Sequence, residues 1–282
     1  MTSKRVIQWQ SRTLDLSTPV VMGILNITPD SFYDGGKYLE TQAAVDKAGE
    51  MIRQGAAIID VGAVSTRPFS SPINADNEWD RLEWLIPELR KTYPETIISV
   101  DTYRATIAEK AIRAGADMIN DISGGELDDN MLPLISRLNV VYVLMHMQGT
   151  PQNMQINPQY EDVVTEVFDF FQRKLNKLKA LGNQSPIILD PGFGFGKTLK
   201  NNYMLLISLK KFTTLGCPVL AGISRKSMIN KVLNISPDEA LNGSTVLNTI
   251  CLLNGADILR VHDVAEARQA IELVSYARNA CF

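Results

Sequence analysis

The chain has 282 residues, with 28 Lys and Arg against 31 Asp and Glu, so its formal net charge is −3. Hydrophobic residues make up 45% and charged residues 21%, a globular balance that excludes extended disorder, and an isoelectric point near 5.5 removes the electrostatic case for nucleic acid, which selects a basic face. Cys217, Cys251 and Cys281 are too few and too far apart for a disulfide framework or a Cys-x-x-Cys metal site, so they read as reduced thiols of a cytoplasmic protein.

In chain order, Met1 to Gln10 carries Lys4 and Arg5 with no apolar stretch behind them, so no targeting segment is expected. The longest apolar runs, at 20–25 and 140–145, are far below the ~18 residues that span a bilayer, and no membrane association is expected. They read as buried strands instead. Strands are predicted near 20–26, 57–62, 97–101, 117–121, 140–146, 187–190, 219–224 and 257–262, each apolar on both faces, as parallel strands covered on both sides must be. Between them, 76–91 sets Trp79, Leu82, Leu85, Ile86 and Leu89 on one helical face, with Asn74 or Asp76 as N-cap. A helix over 106–114 stops at Gly115. The stretch 160–181 repeats Tyr160, Val163, Val164, Val167, Phe168, Phe171, Leu175 and Leu178 at helical spacing and stops at Gly182.

One phrase occurs three times, at Gly55-Ala-Ala-Ile-Ile-Asp60, Gly115-Ala-Asp-Met-Ile-Asn120 and Gly255-Ala-Asp-Ile-Leu-Arg260. In each, a Gly ends a helix, an apolar strand follows and a polar residue closes it. Such alternation predicts an α/β fold with a parallel sheet. The first strand runs into Asn26-Ile-Thr-Pro-Asp30, which is no Gly-rich nucleotide turn. Eight strands closing on Asn26, Asp60, Asp101, Asn120, His146, Asp190, Arg225 and Arg260 predict a single (β/α)8 TIM barrel. The whole chain, 1–282, is read as one domain with those side chains gathered at its C-terminal mouth.

The mouth then holds carboxylates, amides and the cations Arg67, Arg225, Lys226, Arg260 and His262. Two histidines exclude a His-rich zinc site. Cations with an Asn suit a pyrophosphate assisted by Mg²⁺, which takes few protein ligands. Buried carboxylates and amides suit the donor edge of a flat heterocycle. Each residue alone has a plainer reading: Asp101 as a helix cap, Asn120-Asp121 as a turn, His146 as a satisfied core side chain, Arg225-Lys226 as a solvated pair. The segment Asp190-Pro-Gly-Phe-Gly-Phe-Gly-Lys-Thr198 matches neither phosphate-loop spacing, and its glycines are expected to let the backbone approach a planar ring.

Eight phrases together resemble bacterial dihydropteroate synthase, in order over nearly the whole chain: Gly23-Ile-Leu-Asn-Ile-Thr-Pro-Asp-Ser-Phe-Tyr-Asp-Gly-Gly36, Ser65-Thr-Arg-Pro68, Ser99-Val-Asp-Thr102, Asn120-Asp-Ile122, Leu144-Met-His-Met147, Asp190-Pro-Gly-Phe-Gly-Phe-Gly-Lys197, Ser224-Arg-Lys-Ser227 and Arg260-Val-His-Asp263. The first block and the Asp190 block are the specific ones. The resemblance implies a homodimeric barrel of folate biosynthesis that joins p-aminobenzoate to 6-hydroxymethyl-7,8-dihydropterin diphosphate, requires Mg²⁺ and is inhibited by sulfonamides. It implies a pterin site at Asp101, Asn120, Asp190, Lys226 and Arg260. It implies a diphosphate grip at Asn26, Thr66, Arg67, Arg260 and His262, with Asn26 at the metal, and an aminobenzoate pocket at Phe32, Pro68, Lys226 and Ser227. Asp101, Lys226, Arg260 and His262 are implied as catalytic.

Two departures stand out. The family's second loop usually reads Gly-x-Glu-Ser-Thr-Arg-Pro-Gly, whereas this chain has Val64 for the acid and Phe69 for the glycine. Phe does not adopt positive φ as Gly does, so a different loop path is expected. One reading is neutral drift; the other is an aminobenzoate pocket that discriminates against sulfonamides. On the second, Phe69→Gly lowers the ratio of sulfonamide Ki to aminobenzoate KM, and an unchanged ratio rules it out. Two other functions compete: a methyltetrahydrofolate:corrinoid methyltransferase-like pterin barrel, against which the Ser-Thr-Arg-Pro loop and Arg-Val-His stand, and a non-catalytic paralogue acting as a partner subunit.

Overall fold

A computed structural model of the protein describes residues 6–27, 37–64 and 73–280. It opens on an antiparallel hairpin, β1 (Val6–Trp9) and β2 (Arg12–Asp15), turned at Gln10 with φ +48°. Then come β3 (Val20–Asn26), β4 (Ala56–Gly62), β5 (Ile97–Asp101), β6 (Met118–Asp121), β7 (Val141–Met145), β8 (Ile187–Asp190), β9 (Leu220–Ala221) and β10 (Ile258–Val261). These eight are parallel, in the order β8-β7-β6-β5-β4-β3-β10-β9, and a bridge from Leu189 to Val219 joins the two ends. The result is the predicted (β/α)8 barrel.

Around it lie α1 (Lys37–Arg53), α2 (Ala75–Leu82), α3 (Leu85–Thr92), α4 (Ala105–Arg113), α5 (Met131–Arg137), α6 (Val163–Ala180), α7 (Leu199–Ile207), α8 (Ser227–Leu233), α9 (Leu241–Leu253) and α10 (Val264–Ala280). Outward strand residues such as Val21, Ile59, Ile98 and Leu259 pack against the helices in the main core. The three helix-to-strand glycines have φ of +103°, +113° and +94° at Gly55, Gly115 and Gly255, the left-handed turn the repeated phrase requires.

Two helix predictions need correction. The single helix over 76–91 is two, α2 and α3, parted at Glu83 and Trp84. Pro87 has no N–H to give the Glu83 carbonyl and its ring crowds that group, so the first helix ends there and Pro87 sits in the first turn of the next. The helix over 160–181 begins at Val163, because Asp162 caps it by accepting from the Val164 and Thr165 N–H groups at 3.0 and 3.3 Å. Asn74, one of two candidate caps, is the cap of α2, accepting from the Asn77 N–H at 2.8 Å.

The hairpin was not anticipated. Its strands are four residues long and bury only alternate side chains, too short a signal against 282 residues. Ile7, Trp9, Leu14 and Leu16 close the floor of the barrel against Met22, Ile58, Ile97, Met118, Val141 and Ile258. Arg12 ties the hairpin to Asp117 at 2.8 Å and to the Pro94 carbonyl at 2.7 Å, and Arg90 meets the other oxygen of Asp117. With one end plugged by apolar side chains, only the other end of the barrel interior is open to ligand.

Candidate active site

Side chains alternate along a strand, so residues two apart share the barrel interior. Reading upward from the apolar floor, Ile58 leads to Asp60 and Gly62, Ile97 to Ser99 and Asp101, Met118 to Asn120, Ile188 to Asp190, and Ile258 to Arg260. The register sets Asp60 beside Ser99, Gly62 beside Asp101, and Asp101 beside Asn120. Burial falls with height. Asp60 is fully buried, Asn120, Asp190 and Asp101 nearly so, Arg260 and Lys226 half-buried, and Asn26, Ser227 and His262 exposed. Acid and amide groups therefore lie deep, and cations above them.

Arg260 is held from two sides. Its Nε donates to Asp60 Oδ2 at 2.7 Å, and a terminal nitrogen donates to Asp101 Oδ2 at 2.8 Å. Asp60 also accepts from Ser99 Oγ at 2.6 Å and from Asn120 Nδ2 at 3.0 Å, so one carboxylate orients both an arginine and an amide of the predicted site. Burial works against charge on Arg260, and the Asp60 and Asp101 carboxylates more than offset it, so its pKa rises. Burial pushes Asp101 up to about 7; Arg260 pulls it back, while Asp60 and Glu78 add repulsion. Burial likewise raises Asp190, against the pull of Lys226 and Arg260, and lowers Lys226 to about 8, against the pull of Asp190. Lys226 Nζ donates to the Phe193 carbonyl at 2.5 Å and lies 4.8 Å from the centre of the Phe195 ring.

The predicted residues Asp101, Asn120, Asp190, Lys226 and Arg260 thus gather at one end of the barrel, although they come from β5, β6, β8, the turn after β9, and β10. Asn26 closes β3 beside Gly62, and Ser227 opens α8 with no side chain capping the helix. Phe32, Thr66, Arg67 and Pro68, with Phe69, lie outside the described residues.

Other expectations change. Asp60 and Arg260 do not close their strands; β4 continues to Gly62 and β10 to Val261, which seats both one layer deeper than the rim. Arg225 does not reach into the mouth, because its guanidinium is taken by Asp263. His262 is not a cation near neutral pH: desolvation and the neighbouring Arg260 lower it to about 4 despite Asp263, and its Nδ1 pairs with Ser224 Oγ at 3.1 Å. Two of the three glycines after Asp190 are required by packing against the preceding loop, while a Cβ on Gly194 would meet the Lys226 side chain at 3.4 Å. A Cβ on Gly192 would stand 1.9 Å from the His146 carbonyl oxygen, and one on Gly196 2.3 Å from that of Gln148. Buried Lys197 binds this loop by donating to the carbonyls of His146, Gly192 and Phe195 and meeting His146 Nδ1 at 3.0 Å.

The plainer reading holds for His146 and in part for Asp121. His146 is a buried, uncharged core histidine, edge-on to Phe170. Asn120 and Asp121 are strand residues that end β6, but the Asp121 carboxylate holds the turn that follows, accepting from the Ser123 and Gly125 N–H groups and from Tyr142 Oη. The capping role for Asp101 does not hold, since α4 begins at Ala105, whose N–H donates to Asp128. Asp60 is the residue placed at the mouth from the sequence but assigned no role there. Its place in the recurring Gly-to-polar phrase marked it, but nothing in that phrase shows that it underlies both Arg260 and Asn120.

A barrel whose mouth offers buried carboxylates and an amide beneath fixed cations belongs to a recognisable class. The sequence pattern of the pterin binding enzymes matches residues 22–262, and the chain belongs to that family. Within it, the chain is 42% identical to the dihydropteroate synthase of Escherichia coli strain K12, over 96% of each chain. The structure is similar to Yersinia pestis dihydropteroate synthase in a sulfonamide drug complex, with TM-score 0.91 and 40% identity over 97% of this chain and 99% of that one. It is also similar to Xanthomonas albilineans dihydropteroate synthase with 4-aminobenzoic acid, with TM-score 0.90 and 35% identity over 98% and 99%. Its function is that of a dihydropteroate synthase.

Proposed function

We propose that this chain condenses 6-hydroxymethyl-7,8-dihydropterin diphosphate with p-aminobenzoate, giving 7,8-dihydropteroate and pyrophosphate, in the cytoplasm. The observation that carries the reading is the hub at Asp60, which turns Arg260 and Asn120 toward the same space that Asp101 and Asp190 line.

In this reading, Asp190 and Asn120 take the amino-pyrimidine edge of the pterin and Asp101 a further ring donor, each a charge-assisted or amide pair in a dry pocket. Lys226 and Arg260 flank the ring. The aryl amine nitrogen attacks the methylene carbon, the C–O bond breaks, and its electrons pass to the diphosphate. Negative charge grows on that group, and Arg260, pre-set by Asp60 and Asp101, stabilises it without reorganising, helped by Arg67, Thr66 and a neutral, hydrogen-bonding His262. Positive charge grows on the pterin methylene, above the Asp101 and Asp190 carboxylates. An aryl amine is neutral at pH 7, so attack needs no strong base, and the departing diphosphate can take the proton. The aminobenzoate ring rests by Phe32 and Pro68, with its carboxylate at Ser227 and Lys226.

Among the described residues no group of three or more His, Cys, Asp or Glu is arranged to hold a metal. Mg²⁺ keeps most of its waters and binds through few protein ligands plus substrate phosphates. Asn26, exposed at the end of β3, would be its protein contact. Bound there, Mg²⁺ neutralises charge on the diphosphate. We also propose a homodimer and inhibition by sulfonamides at the aminobenzoate pocket.

The test is dihydropteroate and pyrophosphate formation from the two substrates, with and without Mg²⁺. Stoichiometric release of both products, abolished by chelation, is expected; no pterin–aminobenzoate product under any condition overturns the reading.

A further inference from the structure

The turn after β9 contains a strained residue that the reaction does not use. Arg225 has φ +56°, a left-handed conformation that strains a side-chain-bearing residue and persists only where its surroundings impose it. Three side chains impose it. The Arg225 N–H donates to Ser244 Oγ at 3.0 Å, its carbonyl accepts from Asn230 Nδ2 at 3.3 Å, and its guanidinium meets Asp263 with two parallel bonds of 2.6 and 3.0 Å. One residue earlier, Ser224 Oγ accepts from the His262 N–H at 3.3 Å and pairs with the His262 ring.

The turns after β9 and β10 are therefore laced at two successive steps, Ser224 to His262 and Arg225 to Asp263. The first turn delivers Lys226 and Ser227; the second follows Arg260 and carries His262. In the proposed reaction these are the aminobenzoate end and the diphosphate end of one site. The pterin acceptors Asn120 and Asp190 come from other strands and take no part in the lacing.

We propose that Arg225 and Asp263 are positioning residues, a paired clamp that sets the aminobenzoate-holding residues Lys226 and Ser227 at a fixed reach from His262 and Arg260. Arg225 must turn left-handed for Lys226 and Ser227 to face the cavity while its own side chain leaves toward Asp263, and the two-pronged ion pair offsets that strain. This inference rests on the proposed reaction, in that it needs an aminobenzoate subsite to position.

The experiment compares Arg225→Gly, which keeps the backbone turn without strain and removes the clamp, with Asp263→Asn, Arg225→Lys and the double variant Arg225→Gly/Asp263→Asn. Three quantities are read in each: aminobenzoate KM, kcat, and Kd for 6-hydroxymethylpterin by fluorescence titration. We expect aminobenzoate KM to rise about tenfold in Arg225→Gly and in Asp263→Asn, the scale of a coupled, partly buried pair, with pterin Kd shifting by clearly less, because Asn120 and Asp190, which the clamp does not touch, still hold the ring that Lys226 flanks. Arg225→Lys, which keeps the charge but loses the second bond, falls between. The double variant is no worse than the worse single, because the two act as a unit.

Unchanged KM in both singles, additive losses in the double, or pterin affinity falling in step with KM overturns the clamp. If Arg225→Gly does not fold, Arg225→Lys and Asp263→Asn decide by the same split. A wild-type chain that forms no dihydropteroate defeats the proposed function itself; an active wild type with indifferent variants defeats only the clamp.

Discussion

At the scale of single residues, the site runs on carboxylates that burial has made reluctant to ionise. Among the described residues the Asp190 side chain accepts only the Gly192 N–H, at 2.8 Å, which leaves acceptor capacity for a ligand. Asp190→Asn keeps the size and turns an acceptor into a mixed group facing donors, and is expected to weaken pterin binding by roughly 2–4 kcal/mol. Isothermal titration with 6-hydroxymethylpterin measures this, and near-normal affinity would take Asp190 out of the site. Asp101, pushed to about 7, offers a full carboxylate to ligand donors and to Arg260 when ionised, whereas protonation turns one of its oxygens into a donor, so activity gains as pH rises through that value. Lys226, lowered to about 8, is a cation only below that value, so activity is lost as pH rises past it. The expected kcat/KM profile between about pH 5 and 10 is a narrow bell with limbs near these values, belonging to the free enzyme. A profile level from pH 5 to 7 would contradict the Asp101 limb.

At the scale of elements, the glycine loop after β8 has a packing role that its sequence pattern does not announce. The sequence marks Gly192, Gly194 and Gly196 as a unit, all left-handed with φ of +71°, +84° and +62°, but Gly192 and Gly196 face the loop after β7, with Lys197 as the tie, and Gly194 faces Lys226. Gly192→Ala is expected to cost about 2–4 kcal/mol of stability, adding a clash with the His146 carbonyl to backbone strain. Gly216 makes an internal control. Its φ is +79° with nothing within 4 Å of an added Cβ, so Gly216→Ala should cost only the ~1–2 kcal/mol of strain. Denaturant midpoints read both, and equal losses would show that the close approach carries no energy. Elements with strong periodicity were legible, as β3 to β10 and α6 show. Pro87 had to be weighed against an otherwise continuous apolar stripe to see the break between α2 and α3.

At the scale of the whole molecule, apolar surface is unevenly spread. Of the fourteen large hydrophobic residues exposed among the described ones, ten lie on α7 to α10, including Ile207, Leu253, Leu273 and Tyr276 at 63%, 60%, 73% and 78% exposure. An exposed apolar concentration of this kind marks an association surface, and these helices adjoin one another. The expected assembly is a homodimer through this side. Sedimentation equilibrium should report a dimer that Leu273→Glu combined with Leu253→Glu converts to monomer, since two charges on each side of a symmetric contact meet their own copies. A monomer before substitution would remove the proposal. No helix among the described residues is long and apolar enough to cross a membrane.

The local pattern of the chain was enough for the barrel, its strand order of appearance and most of the polar residues at its mouth, because buried parallel strands are short apolar runs and the polar residue after each must face the open end. Depth, contact and charge state belonged to the tertiary structure. Only closure of the barrel puts Asp60 beneath Arg260, two hundred residues away in sequence, and only the turn at Arg225 takes that guanidinium out of the cavity to Asp263. Desolvation first, and the Arg260 charge second, lower His262, and neither is visible in the order of residues. Periodicity reports which face a residue occupies, while energies at a site depend on which distant groups share that face and how much water they exclude.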